Sequence, residues 1–97
     1  MVSLLPFARL SEAIYAINAT RYGLATGVFT RDLDEALLAA RAIKAGAVHI
    51  NETSCSRVDG MPYGGVKESG FGREGPRYAI SEMTDEKVIT IAPGCAA

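Results

Sequence analysis

Short apolar runs alternate with stretches of helical periodicity over residues 2–50, and this order constrains the fold more than any other feature. The three runs are apolar on both faces, and they span Val2–Phe7, Leu24–Thr30 and Ala47–Ile50. Strands of that kind are typical of parallel sheets that helices cover. The connections between them are expected to be right-handed crossovers. The chain is therefore predicted to be an α/β protein built on a three-stranded parallel β-α-β-α-β unit.

The first predicted helix lies between the first two strands. Ser11 offers an N-cap hydroxyl, and Ile14 and Ile17 lie three residues apart on one helical face. Gly23 follows the helix, and glycine takes the positive φ that a helix exit often needs. In the preceding strand Pro6 removes one hydrogen-bond donor, which favours a strand end or a sheet edge.

The second predicted helix joins the second and third strands. Asp32 and Glu35 have the spacing of a capping box, in which the first side chain caps the helix and the second reaches back. Apolar residues continue at helical spacing as far as Ile43. Lys44 is placed in the last turn, and Gly46 is the predicted C′ residue.

Residues 51–75 hold six glycines and one proline in 25 positions, too many for a helix or a central strand. We predict a glycine-rich loop there, followed by a short helix from Pro76 to about Met83. Lys87–Ile91 is rich in β-branched residues and is predicted to be a C-terminal strand detached from the sheet. We expect a single domain over residues 1–97 that folds as it stands.

The predicted sheet leaves two open edges, and unpaired edges invite pairing with another chain. Two helices cannot cover both faces of three strands. We therefore expect a further element to cap the unit, most simply a second copy of the same chain.

Composition excludes several classes of function. The 97 residues include ten Lys or Arg and eleven Asp or Glu, a net charge of -1, which argues against nucleic-acid binding. The apolar runs are too short to span a bilayer, and no signal peptide is visible. Cys55 and Cys95 make neither a disulfide framework nor a metal site. We expect a cytoplasmic, soluble protein without a metal, a membrane or a nucleic-acid partner.

Residues Gly70–Gly75 match the G-x-G-x-x-G pattern of dinucleotide-binding turns, and a predicted helix follows them. That motif works only when a buried strand delivers the chain into it. Here residues 66–69 precede it, and they do not have the pattern of a buried strand. We therefore favour tight turns and close backbone packing over dinucleotide binding.

The only histidine, His49, lies in the predicted third strand. A nucleophilic triad would also need a nucleophile and an orienting carboxylate, for which the chain offers Ser54, Cys55, Ser56 and Asp59. These are sequence neighbours in one loop, whereas triads are assembled from separate elements, so we favour a core histidine. Cys55 is either a reactive thiol or an inert exposed one, and no adjacent Lys or His activates it. The residues alone predict no catalytic constellation.

Three cationic residues, Arg57, Lys67 and Arg73, lie in the glycine-rich loop. They could bind an anion together with the loop's backbone amides. Charges in a solvated loop need no such explanation, and we favour that second interpretation.

Six segments share residue order and spacing with one known family. They are Glu12–Ile14, Asn18–Leu24, Gly27–Asp32, Gly46–Asn51, Pro62–Gly75 and Glu82–Ile91. Through them the chain resembles the NAD(P)-dependent aldehyde dehydrogenase superfamily over about residues 2–91.

The resemblance implies that the chain corresponds to a C-terminal part of a family subunit. Residues 1–84 match part of the catalytic domain, 85–92 match the terminal oligomerisation strand, and 93–97 form a tail without a counterpart. The family's catalytic cysteine, general-base glutamate, oxyanion-hole asparagine and dinucleotide-binding domain belong to other parts of the subunit, and Cys55 does not match the nucleophile motif. The resemblance thus implies no catalytic residue and no cofactor bound by this chain alone, although full-length members use NAD(P).

The same resemblance places five residues in the loop that lines the family's aldehyde entrance tunnel and shapes substrate choice. They are Asn51, Thr53, Cys55, Arg57 and Tyr63. Tyr63 stands where phenylalanine is commoner, and it would form an aromatic wall. Arg57 and the nearby hydroxyls indicate short, oxygenated or anionic aldehydes.

The last segment, Lys87, Val88, Ile89, Thr90 and Ile91, resembles the strand that adds to a partner subunit's sheet. The resemblance therefore implies a homo-oligomer, a dimer or larger. One hypothesis for function is a truncated aldehyde dehydrogenase-like protein without dehydrogenase activity of its own. The alternatives are a module that binds a small molecule or a subunit through the retained tunnel loop, and a gene product without function.

Overall fold

The computed structural model describes residues 1–94, so the end of the predicted tail, with Cys95, lies outside the described residues. Helices and short strands alternate along the chain. They are α1 (Leu10–Asn18), β1 (Tyr22–Gly23), β2 (Ala25–Val28), α2 (Leu33–Ala42), β3 (Ala47–Ile50), β4 (Val66–Lys67) and α3 (Pro76–Met83). The mixed helix and strand content agrees with the predicted α/β class.

The strands β2 and β3 form the parallel pair that the sequence predicts, and α2 is the crossover between them. The register runs from Ala25 opposite Ala47 to Val28 opposite Ile50. The prediction of three parallel strands was wrong for residues 1–94, because this sheet has two strands. Residues Val2–Phe7 carry no secondary structure and are exposed. Pro6 within that segment cannot donate to a ladder, which weakens it as a strand.

A second sheet, of two strands, pairs β1 with β4 in antiparallel orientation and attaches the glycine-rich loop to the exit of α1. The expected positive φ at Gly23 is not found, because Gly23 lies in β1. The absence of a side chain matters there for another reason. A Cβ on Gly23 would lie 2.6 Å from the Lys44 carbonyl oxygen and 2.9 Å from Cγ2 of Val66.

The helix α1 begins two residues earlier than predicted. Its N-cap is Arg9 rather than Ser11, and no side chain caps its first amides. The carboxylate of Glu12, in the first turn, instead accepts a hydrogen bond of 3.1 Å from the backbone N–H of Ala8. A glutamate at the third helical position can thus satisfy a backbone donor that precedes the helix.

The helix α2 begins as predicted, because Asp32 accepts a 3.0 Å hydrogen bond from the backbone N–H of Glu35. The second half of the capping box differs, since the Glu35 carboxylate accepts from the Thr30 hydroxyl instead. The predicted helix end was also wrong, because α2 stops at Ala42, before Lys44 and Gly46.

The side chain of Asn18, at the end of α1, explains that early stop. Its amide nitrogen donates to the Ala42 carbonyl over 2.8 Å, and its amide oxygen accepts from the Lys44 N–H over 2.8 Å. One side chain therefore satisfies one of the carbonyls that the end of a helix leaves open and also the N–H of the residue after the cap.

The hydrophobic core is small and lies where α1 and α2 pack on the β2–β3 sheet. Ile14 (8% exposed), Ala39 (0%) and Ile43 (6%) form its centre, and Val28 and Val48 contact it from the sheet. The radius of gyration is 20.7 Å, whereas a compact domain of about 100 residues has about 13 Å. The chain is therefore elongated, with principal extents of 82 × 30 × 23 Å.

The predicted helix α3 is confirmed, with Pro76 in its first turn, but none of its residues is buried. Lys87–Ile91 belongs to no strand of the described chain, and Val88 and Ile91 are both 89% exposed. A strand needs a neighbour to pair its backbone groups, and the described residues offer this segment none. Its pairing with a partner subunit stays a prediction. No helix within residues 1–94 is long and apolar enough to cross a membrane.

The cap of α2 provides a test of the fold. We expect Asp32→Ala to lower the free energy of unfolding by about 1 kcal/mol, because the Glu35 N–H loses its acceptor. Urea denaturation followed by circular dichroism measures the change. Asp32→Ser keeps a capping oxygen and is the matched control, which should stay within a few tenths of a kcal/mol of the wild type. Equal losses in both variants would contradict the capping role.

Candidate functional site

A cleft of about 390 Å³ lies between the start of β2 and the loop that follows β3. Two apolar residues, Leu24 and Ala25, line one side of it. The other side is lined by Ser54, Cys55, Ser56, Arg57 and Tyr63. The cleft therefore combines two hydroxyls, a thiol, a guanidinium and an aromatic ring over an apolar floor.

The loop reaches this position because β2 carries a glycine where the two backbones meet. A Cβ on Gly27 would lie 2.5 Å from the Glu52 carbonyl oxygen and 3.3 Å from the backbone nitrogen of Ser54. Any larger residue at Gly27 would push the loop off the sheet. Val28, the next residue along the strand, contacts the core, and successive residues of a strand face opposite sides. The loop therefore covers the sheet face opposite the helices.

Tyr63 is fixed in the cleft by its backbone. It forms an isolated antiparallel bridge with Glu74, in which the Tyr63 N–H donates over 3.0 Å and the Glu74 N–H donates over 2.5 Å. The Arg57 guanidinium carbon lies 4.9 Å from the centre of the Tyr63 ring, within cation–π range. The same guanidinium lies 3.9 Å from the Glu74 carboxylate, measured from Nη2 to Oε2.

The structure brings together three of the five residues that the resemblance assigned to the tunnel loop, namely Cys55, Arg57 and Tyr63. Asn51 lies elsewhere, because its side-chain oxygen accepts from the Thr30 N–H over 2.9 Å. Its φ is 56°, a conformation that asparagine adopts more readily than most residues. Thr53 is exposed and does not line the cleft. The role of all five in substrate choice stays a prediction.

The cations of the glycine-rich loop differ in what they bind. Lys67 directs its ammonium group at three backbone carbonyls, those of Asn18 and Thr20 at 3.0 Å and of Tyr22 at 3.4 Å. Arg73 donates from Nη1 to the carbonyls of two glycines, each over 2.9 Å. Both side chains therefore fasten backbone segments together, and neither lines the cleft around Arg57.

The glycines of the dinucleotide-like pattern take backbone conformations that other residues rarely adopt. Gly70, Gly72 and Gly75 all have positive φ, between 74° and 143°, which L side chains adopt rarely. The segment before them is the two-residue strand β4, which pairs with β1 at the surface instead of delivering a buried strand. The predicted close backbone packing is found only at Gly75, where a Cβ would lie 3.3 Å from the Met61 carbonyl oxygen, whereas a Cβ on Gly70 would meet open space.

Nucleophile and metal candidates are dispersed. Cys55 is a free, exposed thiol in the cleft, and His49 is half-buried in β3. Neither His49 nor any carboxylate is among the residues that line the Cys55 cleft. Over residues 1–94, no group of three or more His, Cys, Asp or Glu side chains could hold a metal ion.

Sequence reasoning missed Glu74 as a neighbour of the cleft. Only the fold of the glycine-rich loop brings it opposite Tyr63 and beside Arg57. The sequence around Glu74, a charged and glycine-rich segment, contains no feature that predicts its contact with Tyr63 or Arg57.

The family model for the aldehyde dehydrogenase family matches residues 1–89. This chain belongs to the aldehyde dehydrogenase family. The 3-sulfolactaldehyde dehydrogenase of Priestia aryabhattai is 49% identical over 90 residues, which are 93% of this chain and 19% of that protein. The chain thus spans about a fifth of the length of the relatives that it matches.

Solved structures of aldehyde dehydrogenases have the same fold over a comparable part. Aldehyde dehydrogenase 21 from Physcomitrella patens, in complex with the reaction product succinate, matches with a TM-score of 0.76 and 43% identity. The match covers 79% of this chain and 16% of that one. Glyceraldehyde-3-phosphate dehydrogenase from Methanocaldococcus jannaschii, complexed with NADP, matches with a TM-score of 0.75 and 47% identity, over 77% and 16% of the two chains. Aldehyde dehydrogenase family members use NAD(P).

Proposed function

We propose that the chain is a truncated aldehyde dehydrogenase-like protein that does not oxidise aldehydes by itself and that forms a homo-oligomer. One observation carries the proposal: the chain accounts for only 19% of the length of a relative to which it is 49% identical. Most of such an enzyme, including its catalytic residues, would then lie in parts of the relative's sequence that have no counterpart in this chain.

The chemistry of the cleft supports the same conclusion. Oxidation of an aldehyde through a covalent adduct needs a thiolate that attacks the carbonyl and a dinucleotide that accepts the hydride. The thiol of Cys55 has no histidine or carboxylate beside it in the cleft lining that could take its proton. The glycine pattern at residues 70–75 follows the two-residue strand β4 instead of a buried strand, so it lacks the structural context of a phosphate-binding turn.

Oligomer formation is supported by unpaired edges and exposed apolar side chains. The β2–β3 sheet has two strands, so each strand has an outer edge without a neighbour in residues 1–94. Lys87–Ile91 offers β-branched side chains, with Val88, Ile89 and Ile91 all at least 75% exposed. A strand added to an open edge would satisfy backbone groups and bury these side chains.

Binding of a small molecule is the second candidate function, and the composition of the cleft favours it. A volume of about 390 Å³ suits a small ligand. The Arg57 guanidinium and the serine hydroxyls around it can bind a carboxylate or a sulfonate. A relative is a 3-sulfolactaldehyde dehydrogenase, and a solved family structure holds succinate. We propose that the ligands are short anionic aldehydes or acids.

We also propose that the protein acts in the cytoplasm.

An enzymatic assay tests the leading proposal. Purified protein mixed with NAD⁺ or NADP⁺ and with lactaldehyde or succinic semialdehyde is expected to form no NAD(P)H above the protein-free rate. The full-length 3-sulfolactaldehyde dehydrogenase, supplied with 3-sulfolactaldehyde, is the positive control for the assay. Protein-dependent turnover that disappears on heating would show that this chain catalyses the reaction alone.

Light scattering at micromolar concentration tests the oligomer. The wild type is expected to have the mass of a dimer or more, and Ile89→Asp is expected to give a monomer, because a buried charge is costly. Val58→Asp places the same charge on an exposed apolar residue of the loop and should leave the mass unchanged. A monomeric wild type, or an Ile89→Asp variant of wild-type mass, would refute pairing through the C-terminal segment.

Titration with sodium succinate tests the proposed binding of small anions. Binding is measured from the melting temperature and from the NMR signals of the backbone amides. Succinate is expected to raise the melting temperature, and Tyr63→Ala should abolish the rise. Arg57→Gln is expected to weaken binding about fivefold, since a partly exposed charged contact contributes about 1 kcal/mol. Arg77→Gln, on α3 and outside the cleft, is the control. Equal affinities of the two arginine variants would exclude Arg57 as the anion-binding group.

A further inference from the structure

Arg57 differs from the other two cations of the glycine-rich loop. The cationic groups of Lys67 and Arg73 donate to backbone carbonyls. Among residues 1–94, Arg57 makes no comparable hydrogen bond, and its neighbours are the ring of Tyr63 and the carboxylate of Glu74. Its guanidinium donors therefore remain available on the side of the cleft.

The position of Glu74 beside this guanidinium is imposed by the backbone. Both hydrogen bonds of the Tyr63–Glu74 bridge hold the two residues opposite each other. Because Arg57 lies over the ring of Tyr63, a carboxylate on the residue opposite is kept near the same cation. The 3.9 Å separation is long for a hydrogen bond, so the contact is an ion pair in which the guanidinium donors stay largely unused.

We propose that Glu74 is a specificity-determining residue that competes with anionic ligands for Arg57. The inference rests on the proposed binding of small anions in the cleft. An incoming carboxylate must share the guanidinium with Glu74 or displace it, and it also meets the repulsion of a like charge. A neutral ligand meets neither obstacle. The pair is largely solvent-exposed, with side-chain exposures of 47% and 70%, so the expected effect on affinity is a few-fold rather than orders of magnitude.

The test requires a variant that removes the charge of Glu74 and keeps the shape of its side chain. Glu74→Gln keeps the side-chain length and both backbone hydrogen bonds to Tyr63. Glu68→Gln is the matched control, because Glu68 lies in the same glycine-rich loop and pairs with Arg21, over 3.5 Å, instead of with Arg57. Arg21 does not line the cleft.

NMR titrations with sodium succinate at constant ionic strength provide the measurement. We expect Glu74→Gln to bind succinate about two- to fivefold more tightly than the wild type, and Glu68→Gln to bind it as the wild type does. Succinamide, the neutral analogue, should show no difference between Glu74→Gln and the wild type. In the Arg57→Gln background, Glu74→Gln should change succinate affinity much less, as a double-mutant cycle requires of residues that act through each other.

Each other result contradicts the proposal in a distinguishable way. Succinate binding to the wild type with an equal or weaker affinity in Glu74→Gln would refute the competition and leave the ligand-binding function intact. An equal gain in Glu68→Gln would show a general charge effect of the loop instead of competition at Arg57. No succinate binding in any variant would refute both the competition and the anion-binding function beneath it.

Discussion

Close backbone contact at glycines is the constraint on which the rest of the structure depends. The Lys44 carbonyl packs against Gly23, the Glu52 carbonyl against Gly27, and the Gly64 carbonyl against Gly46, with no room for a Cβ at any of the three positions. The contacts at Gly27 and Gly46, together with that of Val66 against Gly23, bring the glycine-rich loop onto the β2–β3 unit. The hydrophobic core alone would hold the loop weakly, because its central cluster contains only three buried side chains among residues 1–94. The ammonium of Lys67 then adds a polar attachment to the end of α1.

The sequence predicts best the elements whose determinants are local. The Asp32 cap and the start of α3 at Pro76 were predicted, because capping and a fixed proline φ act within a few residues. The parallel pairing of β2 with β3 was predicted as well, because two short apolar runs joined by one helix are typical of a parallel crossover. The end of α2 was not, since it depends on Asn18 from another helix. The strand expected at Val2–Phe7 failed for a similar reason, because strand formation depends on a neighbour that local pattern does not supply.

The residues of the candidate site also differ in whether the sequence could identify them. The loop that holds Cys55, Arg57 and Tyr63 was identified by resemblance, and the structure places these three around one cleft. Asn51 was separated from them because its side chain is used by the turn before α2. Glu74 could not be found from sequence, since its contact with Arg57 arises from a backbone bridge between distant parts of the loop. Charge pairs of this kind follow from tertiary structure and not from spacing.

The elongated shape has a consequence for the hydrodynamics of the protein. A particle with extents of 82 × 30 × 23 Å experiences more friction than a sphere of the same 10.3 kDa. A single copy of the chain would therefore elute from a gel-filtration column at the volume of a heavier globular protein. In the centrifuge it would sediment at the rate of a lighter one.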